Sequence, residues 1–262
     1  MKISMSRAAA ALVFLVAGFG SAAAQTPTAP ASPAPPAGPW TGSAGFGLSL
    51  NRGNTDTTNL NISFDATYDP KTEDVWRLKG LYLRGDNNGT LAVSRLDLVG
   101  RFEHTFTGRV YGFGQVQFLK DHFKDIDYLW APSVGAGYKL IATPTTTFNV
   151  DGGLGFKVEQ DEAADVGGAS TAMRHTDVVV NASDKFEYNL SKTSKITQGF
   201  IALWKANDFG DALYTFSAGA AAAMTTRTQL KVELLDTYQS RPAFVTVKGN
   251  DVALLTALVY KF

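Results

Sequence analysis

The chain has 262 residues, with 24 basic and 24 acidic side chains and no cysteine. Balanced charge offers no basic field for nucleic acid, and the lack of thiols excludes a disulfide framework and thiol chemistry. Stability must come from another source.

At the N-terminus Lys2 and Arg7 precede an apolar block from Ala8 to Phe19 and a small-residue end, Ala22-Ala23-Ala24. This order predicts a secretory signal peptide over residues 1–24, cleaved before Gln25. The block is too short for the roughly 20 residues that a membrane-crossing helix needs. Residues 25–39, QTPTAPASPAPPAGP, hold six of the ten prolines. Such a segment cannot form a hydrogen-bonded ladder and is expected to be an extended or disordered tether.

From Trp40 the pattern is period two. Trp40, Gly42, Ala44, Phe46, Leu48 and Leu50 fall on one face, against Thr41, Ser43, Gly45, Gly47, Ser49 and Asn51. After Gly53-Asn54 the alternation resumes with Leu60, Ile62, Phe64, Ala66 and Tyr68 against Asn59, Asn61, Ser63, Asp65 and Thr67. These two runs form a hairpin with one oily and one wet face. The same cut gives strands near 73–85, 91–106, 109–120, 127–141, 146–158, 174–190, 194–206, 210–225, 227–239 and 249–262, about twelve in all. They are longer than ordinary soluble strands and match tilted membrane-crossing ones. Pro132 falls inside the sixth strand, so either a bulge or a start of pairing nearer Ser133 is expected there.

Alternate connections differ. Those at Asp69-Pro70, Thr107-Gly108, Thr143-Pro144, Ser191-Lys192 and Thr226-Arg227 are short; those containing GDNNG, KDHFKDI, QDEAADVGGAST, KANDFGD and SRPAFVTVKGN are mostly longer and more polar. An even strand count with this asymmetry predicts an all-β fold over residues 40–262. The expected architecture is a single transmembrane antiparallel up-and-down barrel with both termini in the periplasm. A soluble β-sandwich shares period two and is the alternative. Against it stand charges of both signs at mid-strand on the polar face: Arg95, Asp97, Arg101, Glu103, Lys231 and Glu233, with Asp65, Arg77, Lys79, Asp151, Lys157, Asp177, Lys185 and Glu187. The first six are the residues expected to line or plug a lumen. Trp40, Tyr68, Trp76, Phe106, Tyr138, Tyr188 and Tyr238 lie near strand ends, as an interfacial girdle requires.

The stretches SLNRGNTDTTNLNISFDATY, VGAGYKL and LLTALVYKF resemble an outer-membrane β-barrel family of unknown function whose members are labelled salt-induced outer-membrane proteins. The resemblance covers Trp40 to Phe262 and implies a barrel in the outer membrane of a Gram-negative cell, with no reaction. The closing Tyr260 and Phe262 resemble the assembly signal of outer-membrane proteins, although Leu255 and Ala257 replace the usual polar and glycine positions. That resemblance implies barrel-assembly machinery as a partner during biogenesis, and outer-membrane lipid with lipopolysaccharide as the surroundings.

Chemistry is sparse. His104, His122 and His175 have Phe106, Lys124 and Asp177 two residues on, so none has a serine at same-strand reach. His175 and Asp177 share a face and read as a polar pair at a loop end. Asp121, Asp125 and Asp127, and Asp161, Glu162 and Asp165, could offer oxygen ligands to calcium but match no EF-hand spacing. Glycine-rich VGAGYKL and DGGLGFK precede no helix and are no phosphate cradle; their small residues are expected at close approaches or in the lumen. No metal, cofactor or catalytic residue is expected. Three readings remain: a narrow passive channel for ions or small solutes with weak charge selectivity; a closed-lumen structural barrel of the envelope; and a lipid-modifying enzyme, which the histidine spacing disfavours.

Overall fold

The computed structural model describes residues 38–51, 57–124, 126–161, 164–166, 169–171, 173–242 and 249–262. The expected signal peptide and residues 25–37 of the tether lie outside the described residues.

Twelve long strands form one closed antiparallel barrel. They are β1 (Trp40–Asn51), β2 (Thr57–Tyr68), β3 (Asp74–Asn87), β4 (Thr90–Thr105), β5 (Val110–Asp121), β6 (Ile126–Ala142), β7 (Thr146–Asp161), β10 (Arg174–Asn189), β11 (Ser194–Lys205), β12 (Asp208–Ala223), β13 (Thr228–Gln239) and β14 (Asn250–Lys261). A two-stranded hairpin, β8 (Ala164–Val166) and β9 (Ala169–Thr171), sits in the connection between β7 and β10. Each barrel strand pairs with its chain neighbour, and β1 pairs with β14 to close the ring. At that join Gly42 and Phe262 exchange both backbone hydrogen bonds at 3.1 Å, which puts the two ends of the barrel at the short-turn rim.

Alternation assigns the two faces. Phe46, Val134, Leu154, Phe156 and Leu254 stand on the outside, more than half exposed. A belt of that kind is stable only against hydrocarbon. Rings gather at both margins: Trp40 with Tyr68 and Trp76 with Phe102 near one rim, Trp204, Tyr214 and Tyr238 near the other. The Trp204 indole donates to the Tyr214 hydroxyl at 2.9 Å, so its polar end is satisfied there.

Two expected loops are turns instead. β3 runs on to Asn87 and is joined to β4 by Asn88 (φ 50°) and Gly89 (φ 77°) alone. Two consecutive left-handed residues make the hairpin turn that matches strand twist, and Asn-Gly is the pair that adopts it most readily. Likewise β12 begins at Asp208, leaving residues 206–207 as the turn after β11. The long connections are therefore 162–173 and 240–249.

Neither expectation at Pro132 holds. β6 is continuous from Ile126, and the pairs Trp130↔Val158 and Ser133↔Gly155 keep one register across the proline. The Pro132 carbonyl faces Gly155 of β7, so its missing N–H faces β7 too, and the ladder lapses there only at Ala131 and Pro132. On the other side Pro132 pairs with Val116 without interruption. At the short-turn rim, Lys71 (φ 65°) donates both its backbone N–H and its ammonium to Asp69, which holds that carboxyl below the ordinary carboxylate range.

Two carboxylates break the apolar rule of the outer face in mid-strand. Asp184 and Asp236 point outward at either end of a cross-strand row, Asp184–Phe200–Phe216–Asp236. In each carboxylate Oδ1 is shielded from solvent and has no hydrogen-bond partner. Replacing Asp184 or Asp236 by leucine is expected to raise the unfolding free energy of the refolded barrel by on the order of 1 kcal/mol, whereas Leu254→Arg lowers it by about 2–4 kcal/mol. Urea titration in lipid, read on a folded-versus-unfolded gel shift, checks both signs.

The charged lumen as candidate functional site

Five inward pairs share one local design: a basic residue followed two positions later by an acid. They are Arg95-Asp97, Arg101-Glu103, Lys157-Glu159, Lys185-Glu187 and Lys231-Glu233. Residues i and i+2 of a strand lie on one face roughly 6.6 Å apart, within reach of an arginine or lysine side chain. The Nζ–Oε distance is 2.6 Å for both Lys185-Glu187 and Lys231-Glu233.

Across strands these dyads grow into two networks. In the half near the short turns, Arg77 and Arg101 are direct neighbours on β3 and β4, a repulsive pairing. Glu103 lies between them and is bonded to both. Arg101 also donates to Gln115 at 3.1 Å and to Asp151 at 2.8 Å, and its guanidinium stacks 3.9 Å above the Phe113 ring. Asp151 collects further donors from Ser183 at 2.7 Å and Tyr111 at 3.2 Å. Tyr111 fits because its ring occupies the space that a Cβ on Gly137 would fill.

The second network lies in the half near the long connections. Arg95 donates to Asp121 at 2.8 Å and Asp97 at 3.0 Å, while Gln117 donates to the other Asp97 oxygen at 3.0 Å. Arg95 also reaches Thr237 at 3.0 Å. Thr237 belongs to β13, five strands around the ring from β4, so this bond crosses the lumen. A second crossing comes from the 3-10 turn His122–Lys124: the Lys124 ammonium meets the Gly249 carbonyl at 2.7 Å and Asp251 at 2.8 Å. Register shifts at Leu119/Asp121 and Ile126/Tyr128 flank that turn and fold it inward.

Alongside these crossings and the inward Lys157-Glu159 and Asp177–Lys205 pairs, part of the inner face is apolar. Leu119, Ile126, Leu129, Ala131, Val179, Leu203 and Leu213 pack into one buried cluster on the inside of the wall. Sequence reading, which treated the inner face as polar throughout, missed this cluster. Strand alternation already placed Leu119, Leu129, Val179, Leu203 and Leu213 inward, so the cue was present. Arg95 is 5% exposed and Lys124 1%, against 31% and 45% for the side chains of Lys231 and Lys185 in the other half.

The remaining candidates part company. His175 bonds Asp161 at 3.2 Å, while Asp177 pairs with Lys205 at 2.7 Å, so the expected His175–Asp177 pair does not form. Strand alternation keeps both on one face, but each finds a nearer partner on an adjoining strand. His104 bonds Asp74 at 2.7 Å, and neither the His104 nor the His175 ring bonds a serine hydroxyl among the described residues. Asp121 turns inward to Arg95 and Asp127 pairs with Lys120 at 2.5 Å. Asp125 and Glu162 lie outside the described residues; among those described, no three carboxylate or histidine groups converge as a metal site would require. Tyr260 is on the outer face, its hydroxyl accepting from Arg227 at 3.2 Å, and the Phe262 ring covers Gly42.

A closed ring of long strands, apolar outside and charged inside, is a transmembrane β-barrel of the outer-membrane class. The chain belongs to the family described as "Protein of unknown function, DUF481", whose pattern matches residues 44–262. Among solved structures it is similar to the NanC porin (11% identity, TM-score 0.46, covering 84% of this chain and 96% of that one). It is also similar to the translocator domain of the autotransporter NalP from Neisseria meningitidis (14%, 0.48, 85% and 87%). A third is an outer-membrane channel from Pseudomonas putida F1 (13%, 0.49, 87% and 96%). No curated protein matches the chain.

Removing Arg101 leaves Glu103 and Asp151 short of a cation in a largely enclosed site. Arg101→Ala is expected to lower stability by about 2–3 kcal/mol, below the full cost of breaking a buried pair because water reaches this half. Lys231→Ala, in a partly exposed dyad, changes it by less than about 1 kcal/mol. Equilibrium unfolding of the two refolded variants side by side checks the contrast.

Proposed function

We propose that this barrel is a narrow passive channel for ions or small solutes, held shut at its long-loop end, with weak charge selectivity and no catalytic step. The observation that carries the reading is the contrast between the lumen's two halves. Near the short turns, cations and anions alternate as partly exposed dyads around a vestibule, and Lys231 and Glu233 belong to its wall. Near the long connections, two long side chains and an apolar cluster fill the bore. A barrel kept only for structure needs no vestibule, and a gate needs few contacts to release. Arg95, Asp97 and Lys124 are the plugging residues; Arg101 and Glu103 line the vestibule. Because neither sign dominates the dyads, selectivity is weak. Tyr260 and Phe262, at the last strand's end, serve the assembly machinery as its recognition signal.

The apolar cluster favours a second reading, a permanently sealed structural barrel. Planar-bilayer conductance of the refolded protein separates the two. The channel reading expects small, infrequent steps in the native protein and an open probability about a hundredfold higher in Arg95→Ala/Lys124→Ala, the effect of losing two charge-assisted bonds of ~1.5 kcal/mol each. A folded barrel that stays silent in both forms sinks the channel reading.

A further inference from the structure

The wall is not equally closed all the way round. β1 and β2 share twelve rungs and β13 and β14 eleven, but β1 and β14 share four, from Ser43↔Lys261 to Phe46↔Leu258. Beyond Phe46, the rest of β1 and the first two-thirds of β14, residues 250–257, make no ladder with each other, although both are described strands. One side chain stands in: Asn61 of β2 passes Gly47 on the inside and donates to the Thr256 carbonyl at 3.3 Å. Gly47 is required there, since a Cβ would collide with that same carbonyl and with the Asn61 amide.

Along this seam lies a cleft of about 590 Å³, lined by residues of both faces of the wall and within the size range of small-molecule sites. Its outer lip is Phe46, Leu48 and Leu254, all exposed on the lipid-facing belt; its inner lip includes Asn59, Asn61 and Leu255. An open strand edge facing hydrocarbon leaves backbone donors and acceptors unpaired, which other seams of this barrel avoid.

We propose that the β1–β14 seam is a lateral portal that admits one acyl chain of a membrane amphiphile from the bilayer to the inside of the wall. Continuity selects the occupant: the cleft opens on the belt that hydrocarbon already covers, so an acyl chain is at its mouth in the membrane. Its apolar outer lip suits the chain, and the neutral amides of Asn59 and Asn61 suit a polar headgroup drawn inward. Widening the passage requires giving up one long side-chain hydrogen bond and at most four rungs. The plug of Arg95 and Lys124 lies on the axial path, so the portal stands whether or not that path conducts.

The test uses the mature barrel refolded in phosphatidylcholine vesicles containing a diazirine-bearing palmitic acid, with adducts mapped after illumination. The portal expects adducts on inner-lip residues Asn59, Leu83 and Leu255, well above those on inward Val179 and Leu203 of the far wall. Because the chain has no cysteine, Leu48→Cys/Thr256→Cys, the next outward-facing pair when the register of the four rungs is continued, is expected to form one defined disulfide. Oxidation of that variant is expected to bring inner-lip labelling down to the far-wall level, and reductant to restore it. Adducts confined to outward residues, or labelling indifferent to oxidation, overturn the portal. So does concentration-dependent disulfide coupling between copies of Leu48→Cys, which would make the seam an interface between barrels.

Discussion

The structure depends on one constraint: in hydrocarbon, every backbone N–H and C=O facing the lipid must find a partner within the protein. A closed antiparallel ring meets it by pairing each strand on both sides. That requirement explains why the ladder stays in one register through Pro132, where only two residues lapse on one side. It also makes the short β1–β14 join the exception, with a side-chain amide from β2 where ladder bonds would otherwise run. Lipid further dictates the outer side chains, which makes the unpartnered carboxylates at Asp184 and Asp236 departures from the rule.

Inside the ring the problem reverses. Charges brought together in a confined space must be matched, and the chain does this first locally, with basic-then-acidic dyads two residues apart, and then across strands. Glu103 separating Arg77 from Arg101 shows the logic: the register brings two cations face to face, and a diagonal anion makes that register tolerable. Arg95 and Lys124 extend the same matching across the bore, to Thr237 and to the start of β14. Because those two contacts and the apolar cluster occupy one half only, the lumen is asymmetric: its charged side chains are more exposed near the short turns, and it is filled near the long connections.

Much of this was legible from residue order. Alternation located all twelve barrel strands, and the dyads at Arg95, Arg101 and Lys231 are written in the sequence at spacing two. Other features were legible but weighed wrongly. Asn88-Gly89 is a strong hairpin signal that polar neighbours disguised as a loop, and Leu119 and Leu129 were inward by parity although a polar lumen was expected. The expected His175–Asp177 pair failed because cross-strand partners compete with same-strand ones, and register decides the winner.

The sequence by itself determined the strand period, the apolar outer face, the charged inner face and the local ion pairs, since each depends on residues at most a few positions apart. Only the tertiary structure decided what fills the bore and where the ring closes weakly. Arg95 and Thr237 are 142 positions apart, Lys124 and Gly249 are 125, and Asn61 and Thr256 are 195. Contacts at such separations are fixed by the stagger and curvature with which twelve strands close on themselves, and no local pattern along the chain encodes that stagger.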